Sequence, residues 1–197
     1  MQKIFTIHRI DRETSGLVVF AKNEDAHRRF SLAFESRDVD KRYVAVVHGR
    51  PPWKEEACDL PLIPNGNKQH MTIIDKYRGK KSLTRFVMLH GAGNYSVLEA
   101  LPQTGRTHQI RVHAAALGFP IACDSLYGPN QRSGGMPVML SDIKKNWRGD
   151  PHEEKPLLAR LGLHAAELAL PDGDSKFTLN APLSRDISSL VKQIKKY

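Results

Sequence analysis

Apolar positions along this chain follow two periods. Short apolar or alternating runs mark strands, and three- and four-residue spacing marks helices. The run "LVVFAK" (17–22) is apolar and β-branched between Gly16 and Asn23, which predicts a buried strand. Asn23 then stands at an N-cap position, with Glu24 and Asp25 suited to the positive end of a helix. Ala26, Phe30, Ala33 and Phe34 recur at helical spacing, so an amphipathic helix is predicted over 24–36. "KRYVAVVHG" (41–49) predicts a second strand, stopped by Gly49 and the Pro51-Pro52 pair.

Residues 50–80 are rich in Pro, Gly, Asn and Lys and read as loops and edge strands, with short extended pieces such as "DLPLI". Two further strands, "SLTRFVML" (82–89) and "YSVLEALP" (95–102), flank "HGAGN", a hairpin turn. In "TGRTHQIRVHAAALGFP" the period changes to a helix, with Ile110, Ala114 and Leu117 on one face and Gly118 with Pro120 as the stop. Turn-rich 123–137 and polar 141–156 follow; 159–170 reads as a strand or mixed segment, and 186–197 as a short helix with basic residues. Strands outnumber helices and do not alternate with them, which predicts an α+β domain rather than a doubly wound one. No repeat or interdomain linker divides residues 1–197, so a single domain is expected.

Charge changes the picture more than composition does. Hydrophobic residues at 40% are ordinary for a globular protein. Thirty Lys and Arg against 21 Asp and Glu leave a net +9, an excess that suits a polyanionic partner such as nucleic acid. Cys58 and Cys123 lie far apart and form no C-x-x-C, which argues against a disulfide scaffold or cysteine zinc site and fits a reducing cytosol. The longest apolar runs, 17–21 and 43–47, are far too short to cross a bilayer as helices, and no signal-peptide order opens the chain. A cytoplasmic protein is the expectation.

Three places could carry chemistry. Asp11 lies among His8, Arg9 and Arg12 in "HRIDRETSGL" (8–17); a nearby guanidinium favours the charged form of a carboxylate, and an ion pair in a turn is the plainer alternative. "GRTHQIRVH" (105–113) gathers two arginines, two histidines and a glutamine, donors that suit phosphate or carboxylate, or simply a solvated helix start. His108 and His113 are five apart, not the four of a helical zinc pair. Tyr43, inside a strand, is either core packing or a ring facing a pocket. No P-loop, G-x-G-x-x-G or G-x-S-x-G is present, which removes most support for nucleotide hydrolysis and serine-type acyl transfer.

These segments together resemble the RluA-type RNA pseudouridine synthases. "HRIDRETSGL" is similar to the family's H-R-L-D-x-x-T-S-G-L, with Ile10 for the usual Leu. "KRYVAVVHG" resembles its K-x-Y-x-A segment, and "GRTHQIRVHAAALGFPIACDSLYG" its G-R-T-H-Q-I-R-x-H block followed by P-I-x-x-D-x-x-Y-G. "LGLHAAEL" corresponds to the late L-H-A motif, and "DLPLI" points to the branch acting on ribosomal or transfer RNA.

The resemblance implies a pseudouridine synthase fold, with a mixed, mainly antiparallel central sheet flanked by helices and loops. It implies isomerisation of uridines in ribosomal or transfer RNA by a monomer, with no metal or organic cofactor. By motif position Asp11 aligns with the catalytic nucleophile, Tyr43 with the tyrosine that stacks on the target base, and Arg111 with the basic residue that pairs with the nucleophile. Arg9, Arg12, Arg106, His108 and Gln109 are the residues expected to meet the RNA. Relatives carry several tens of residues with strands ahead of the H-R-x-D motif, and many an S4-type domain; with the motif at residue 8, a single catalytic domain lacking those N-terminal strands and any S4 domain is expected. The polar loop at 129–156 is a further expected RNA contact. A binder on the same fold with lost or dispensable catalysis is the alternative. A metal-dependent nuclease using His8, Asp11 and His108 lacks a second carboxylate cluster.

Overall fold

The computed structural model describes residues 3–67, 69, 71–129 and 135–197. In chain order the elements begin with β1 (Phe5–Thr6), β2 (Ser15–Gly16), β3 (Phe20–Ala21), α1 (Glu24–Ser36) and β4 (Asp40–His48). Four strands follow, β5 (Glu55–Cys58), β6 (Leu62–Ile63), β7 (Ile73–Ile74) and β8 (Thr84–Ala92), and then β9 (Tyr95–Pro102). The chain ends through α2 (Gln109–Ala116), β10 (Leu163–Asp172), β11 (Ser175–Asn180) and α3 (Arg185–Lys196).

The main sheet runs β11-β10-β4-β9-β8-β5, antiparallel throughout, and β2 adds to β10 in parallel. This is the mixed, mainly antiparallel α+β architecture expected. The apolar run of β4 is continuous because the strand is buried on both faces. Val44 and Val46 point to the layer where α3 packs through Ile187, Leu190, Val191 and Ile194. Ala45 and Val47 point to the opposite layer, with Ile110 and Ala114 of α2. The i, i+3, i+4, i+7 spacing in α3 places all four apolar side chains on one stripe, and burying each contributes roughly 1.5–3 kcal/mol.

α1 forms where predicted. The Asn23 side chain accepts from Ala26 N–H at 2.8 Å, and Arg37, at φ 64°, turns the chain off the helix with its N–H on the carbonyls of Ala33 and Phe34. The helix lies over Leu168 and Leu170 of β10, with Phe30 meeting Phe177 edge-on at 6.0 Å.

One prediction needs correction. Residues 17–22 are not a buried strand: only Phe20–Ala21 pairs, with Phe5–Thr6. Leu17 and Val19 pack inward while Val18 and Phe20 are exposed, so the segment is half-buried. The amide of Leu17 donates to Ala165 O at 3.0 Å, and that of Val19 to a side chain, His8 Nε2, at 3.0 Å. With its amides occupied singly, the segment builds no ladder. The sequence reading also assigned nothing to 175–180, where β11 forms an edge strand.

Candidate active site

The loop bearing Asp11 is closed at both ends. At its start the His8 ring stacks on Phe34 at 4.7 Å and accepts Val19 N–H. At its end Ser15 and Gly16 pair with His164 and Ala165, and Ser15 Oγ meets His164 Nδ1 at 2.9 Å. Gly16 stands at φ +114° against the Ala165 backbone, where a Cβ would collide; only glycine fits. The S-G of the first motif and the L-H-A of the last are thus two halves of one clamp.

Asp11 lines a cleft of about 790 Å³ together with Tyr43, His108 and Arg111. Its carboxylate is 24% exposed and, among the described residues, accepts no hydrogen bond. Its nearest cationic nitrogens are Arg111 Nη1 at 3.9 Å and, if protonated, His108 Nε2 at 4.0 Å. Arg111 itself is 2% exposed, and its tightest partner is Asp124: Nε to Oδ2 at 2.8 Å and Nη2 to Oδ1 at 2.7 Å. Glu13 lies 3.5 Å from Nη2. Burial works against the Arg111 charge, but its hydrogen bonds and attraction to Asp124, with Asp11 and Glu13, outweigh it and raise its pKa. The guanidinium expected to pair with Asp11 is therefore anchored elsewhere and presents one edge to it.

Asp124 also accepts the amides of Leu126 and Tyr127 at 2.9 and 3.0 Å, which sets Tyr127 beside Arg111, 5.2 Å from its ring centre. The Tyr127 oxygen accepts Thr72 N–H at 3.0 Å and shares a hydrogen bond with His108 Nδ1, 2.9 Å away. The other ring nitrogen of His108, Nε2, is the one nearest Asp11. Burial lowers the His108 pKa and keeps the ring neutral near pH 7. His108 precedes α2 in the left-handed region at φ 52°.

Tyr43 shares its face of β4 with Lys41, and that face meets the cleft. Burial, and secondarily the charge of Asp11, push the Tyr43 hydroxyl up to about 12. Lys41 has no ion-pair partner among the described residues; burial and the neighbouring Arg37 lower its pKa. Arg9, Arg12, Arg37 and Arg106 line the cleft. Gln109 does not serve as expected. It is 3% exposed, and its amide oxygen accepts from Thr104 Oγ1 at 2.6 Å and Arg106 N–H at 3.0 Å. Its NH₂ donates to Leu83 O and Thr84 Oγ1, so the side chain holds the α2 entry to β8 and has no capacity left for RNA.

Residues that sequence reasoning passed over are Asp124, Tyr127, Lys41 and Arg37. The first two were legible only as the D-x-x-Y of a quoted motif, and Lys41 as the Lys of K-x-Y; Arg37 left no signal. His8 is turned to Val19 and Phe34, which removes it from any ligand set with Asp11. The loop expected at 129–156 falls partly outside the described residues, at 130–134.

The overall architecture is shared with solved structures. The human RNA pseudouridylate synthase domain containing 1 superposes with a TM-score of 0.70 at 26% identity, covering 99% of this chain and 81% of that one. Its domain containing 4 counterpart gives 0.76 at 22% identity, a likeness of fold. The sequence profile of the RNA pseudouridylate synthase family matches residues 1–116. Ribosomal large subunit pseudouridine synthase D of Zymomonas mobilis is 31% identical over 191 residues, and synthase C of Buchnera aphidicola 35% over 192; each alignment covers 95% of this chain. The chain belongs to the RNA pseudouridylate synthase family. It spans about half the length of these curated relatives, 55% and 56%.

Proposed function

We propose that this chain is the catalytic domain of an RNA pseudouridine synthase, with Asp11 as nucleophile, Arg111 as its orienting cation and Tyr43 as the ring that receives the base. The observation that carries this reading is the Asp11 carboxylate itself: it faces the cleft with no hydrogen bond among the described residues, beside a guanidinium that Asp124 holds in place. A carboxylate open to the cleft and next to a fixed cation is free to attack a bound substrate.

The reaction breaks the N1–C1′ bond of uridine and forms a C5–C1′ bond. The C5 proton is lost and N1 gains one, so nothing is oxidised and no energy input is required. A carboxylate that attacks the ribose or the base divides this exchange into two easier steps. The high pKa of Tyr43 makes it a neutral phenol: its ring packs the detached uracil, and it accepts a C5 proton only while passing its own on. His108 brings Nε2 beside Asp11, placed to donate to or accept from a hydroxyl or carbonyl of the nucleotide, according to its tautomer.

Arg9, Arg12, Arg37, Lys41 and Arg106 line the same cleft with no carboxylate within ion-pairing distance among the described residues. They would take the RNA phosphates as the target uridine leaves its stack, which costs a few kcal/mol. Ribosomal RNA is the first candidate substrate, from the names of the relatives, with transfer RNA second; a monomer in the cytoplasm fits the two free, buried cysteines.

Tritium release from C5-labelled, unmodified ribosomal and transfer RNA tests the reading. Release by the unsubstituted chain is expected, with Asp11→Asn slower by about a thousandfold or more. Retained release in Asp11→Asn removes the nucleophile assignment. Tyr43→Phe should keep binding and lose rate; an unchanged rate denies the hydroxyl a part in proton transfer. Tight binding with no release by the unsubstituted chain supports the binder on this fold.

A further inference from the structure

Outside the cleft, the most unusual surface is the turn that follows β7. Tyr77 is 98% exposed there, the most exposed large hydrophobic side chain among the described residues. The turn is firmly built. Asp75 Oδ1 accepts the amides of Tyr77 and Arg78 at 3.0 and 2.9 Å, and Oδ2 accepts Arg78 Nε at 3.0 Å. Gly79 N–H closes the turn on Asp75 O at 2.9 Å, in a space where a Cβ would strike Asp75 and the Pro61 backbone. An open aromatic ring is therefore held out by a rigid frame.

Its surroundings are cationic: Lys76, Arg78, Lys80 and Lys81 lie within six positions, all exposed, and among the described residues only Arg78 of the four is ion-paired. The base of the turn is fastened to the cleft at two points. Arg106 donates to Lys81 O at 3.4 and 3.5 Å, and Thr72 N–H reaches the Tyr127 hydroxyl that holds His108. Tyr77 is four residues of chain from Lys81, so at most about 13 Å away.

We propose that this turn is a second RNA-contact site, which grips an unpaired nucleotide flanking the one in the cleft. Tyr77 stacks on its base while Lys76, Lys80 and Lys81 take the neighbouring phosphates. The inference rests on the reading of the cleft as RNA-binding. An aromatic face among cations is the pairing that single-stranded nucleic acid uses, because every base offers a π-face and every linkage a charge. It places part of substrate selection in the turn: the target uridine must lie in an unpaired stretch, not at a lone bulge in a duplex.

Binding of two fluorescein-labelled RNAs to the Asp11→Asn chain tests this, one a hairpin with an unpaired uridine-containing loop, the other a blunt duplex of equal length. Tyr77→Ala should weaken hairpin binding about tenfold and leave duplex binding unchanged. Tyr77→Phe, which keeps the ring, should restore it to within about twofold. Replacing Lys76, Lys80 and Lys81 by Ala should lower the salt slope of hairpin binding by about 2, near 0.7 per phosphate. Unchanged hairpin binding in Tyr77→Ala, or an equal loss on both RNAs, overturns the proposal and leaves the cleft reading standing. Failure of the parent chain to bind the hairpin overturns both.

Discussion

Cations inside and outside the Asp11 cleft are treated differently. Outside it, Arg29 meets Asp172 at 2.9 Å, Arg85 meets Glu55 at 2.9 Å, and Lys176 lies 3.1 Å from both Asp38 and Asp40. In the cleft, Arg9, Arg12, Arg37, Lys41 and Arg106 have no such partner among the described residues, although Glu35 lines the same space. Unpaired cations lie elsewhere among the described residues too, as at Lys76, Lys80 and Lys81, but the five in the cleft share a concave space with the carboxylate Asp11. A balanced pair leaves little long-range field, and unneutralised charge in a concave site focuses it.

The sharpest way to break the contrast is at the one cleft cation that is fully paired. Asp124→Ala strands the buried Arg111 charge, and we expect a loss of about 3–5 kcal/mol in stability by urea unfolding. A loss below about 1 kcal/mol would mean that Asp11 and Glu13 can take over from Asp124. Next come the free cations. Each of Arg9→Ala and Arg37→Ala should lower the salt slope of RNA binding by about 0.7, whereas Arg29→Ala and Arg85→Ala should leave it unchanged and move stability by no more than about 1 kcal/mol. Equal slopes in the two sets would erase the distinction.

The smallest effect is one of pH. Burial lowers the pKa of His8, His48, His108 and His113. Near pH 6.5 and below, the unfolded chain therefore binds more protons than the folded one, and stability falls as the pH drops through that region. Urea midpoints should be lower at about pH 5.5 than at about pH 7.5, with the reverse order contradicting the neutral histidines.

Much of this was legible in the sequence because local chemistry decided it. Asn23 with Glu24 and Asp25 fixed where α1 begins, and the apolar run of β4 carried its own strand signal. The segment 17–22 was misread because an apolar run shows neither which side chains face solvent, as Val18 and Phe20 do, nor what takes its amides, here the His8 side chain and the distant Ala165. Gln109 looked like an RNA contact because an amide beside two arginines suits phosphate. Whether such an amide points outward depends on Thr84 and Thr104, and no spacing rule reaches them. Asp124 was visible as a letter in a motif, but its bidentate grip on Arg111 is a tertiary fact.

The clamp between Ser15 and His164 joins residues 149 positions apart. During synthesis Asp11 leaves the ribosome about 150 residues ahead of the strand that fixes its loop. At about 5–20 residues per second, some 8–30 s separate the two. Through that interval the nascent chain carries Asp11 on an unanchored loop. The loop is fixed late and all at once, when β10 closes over Gly16.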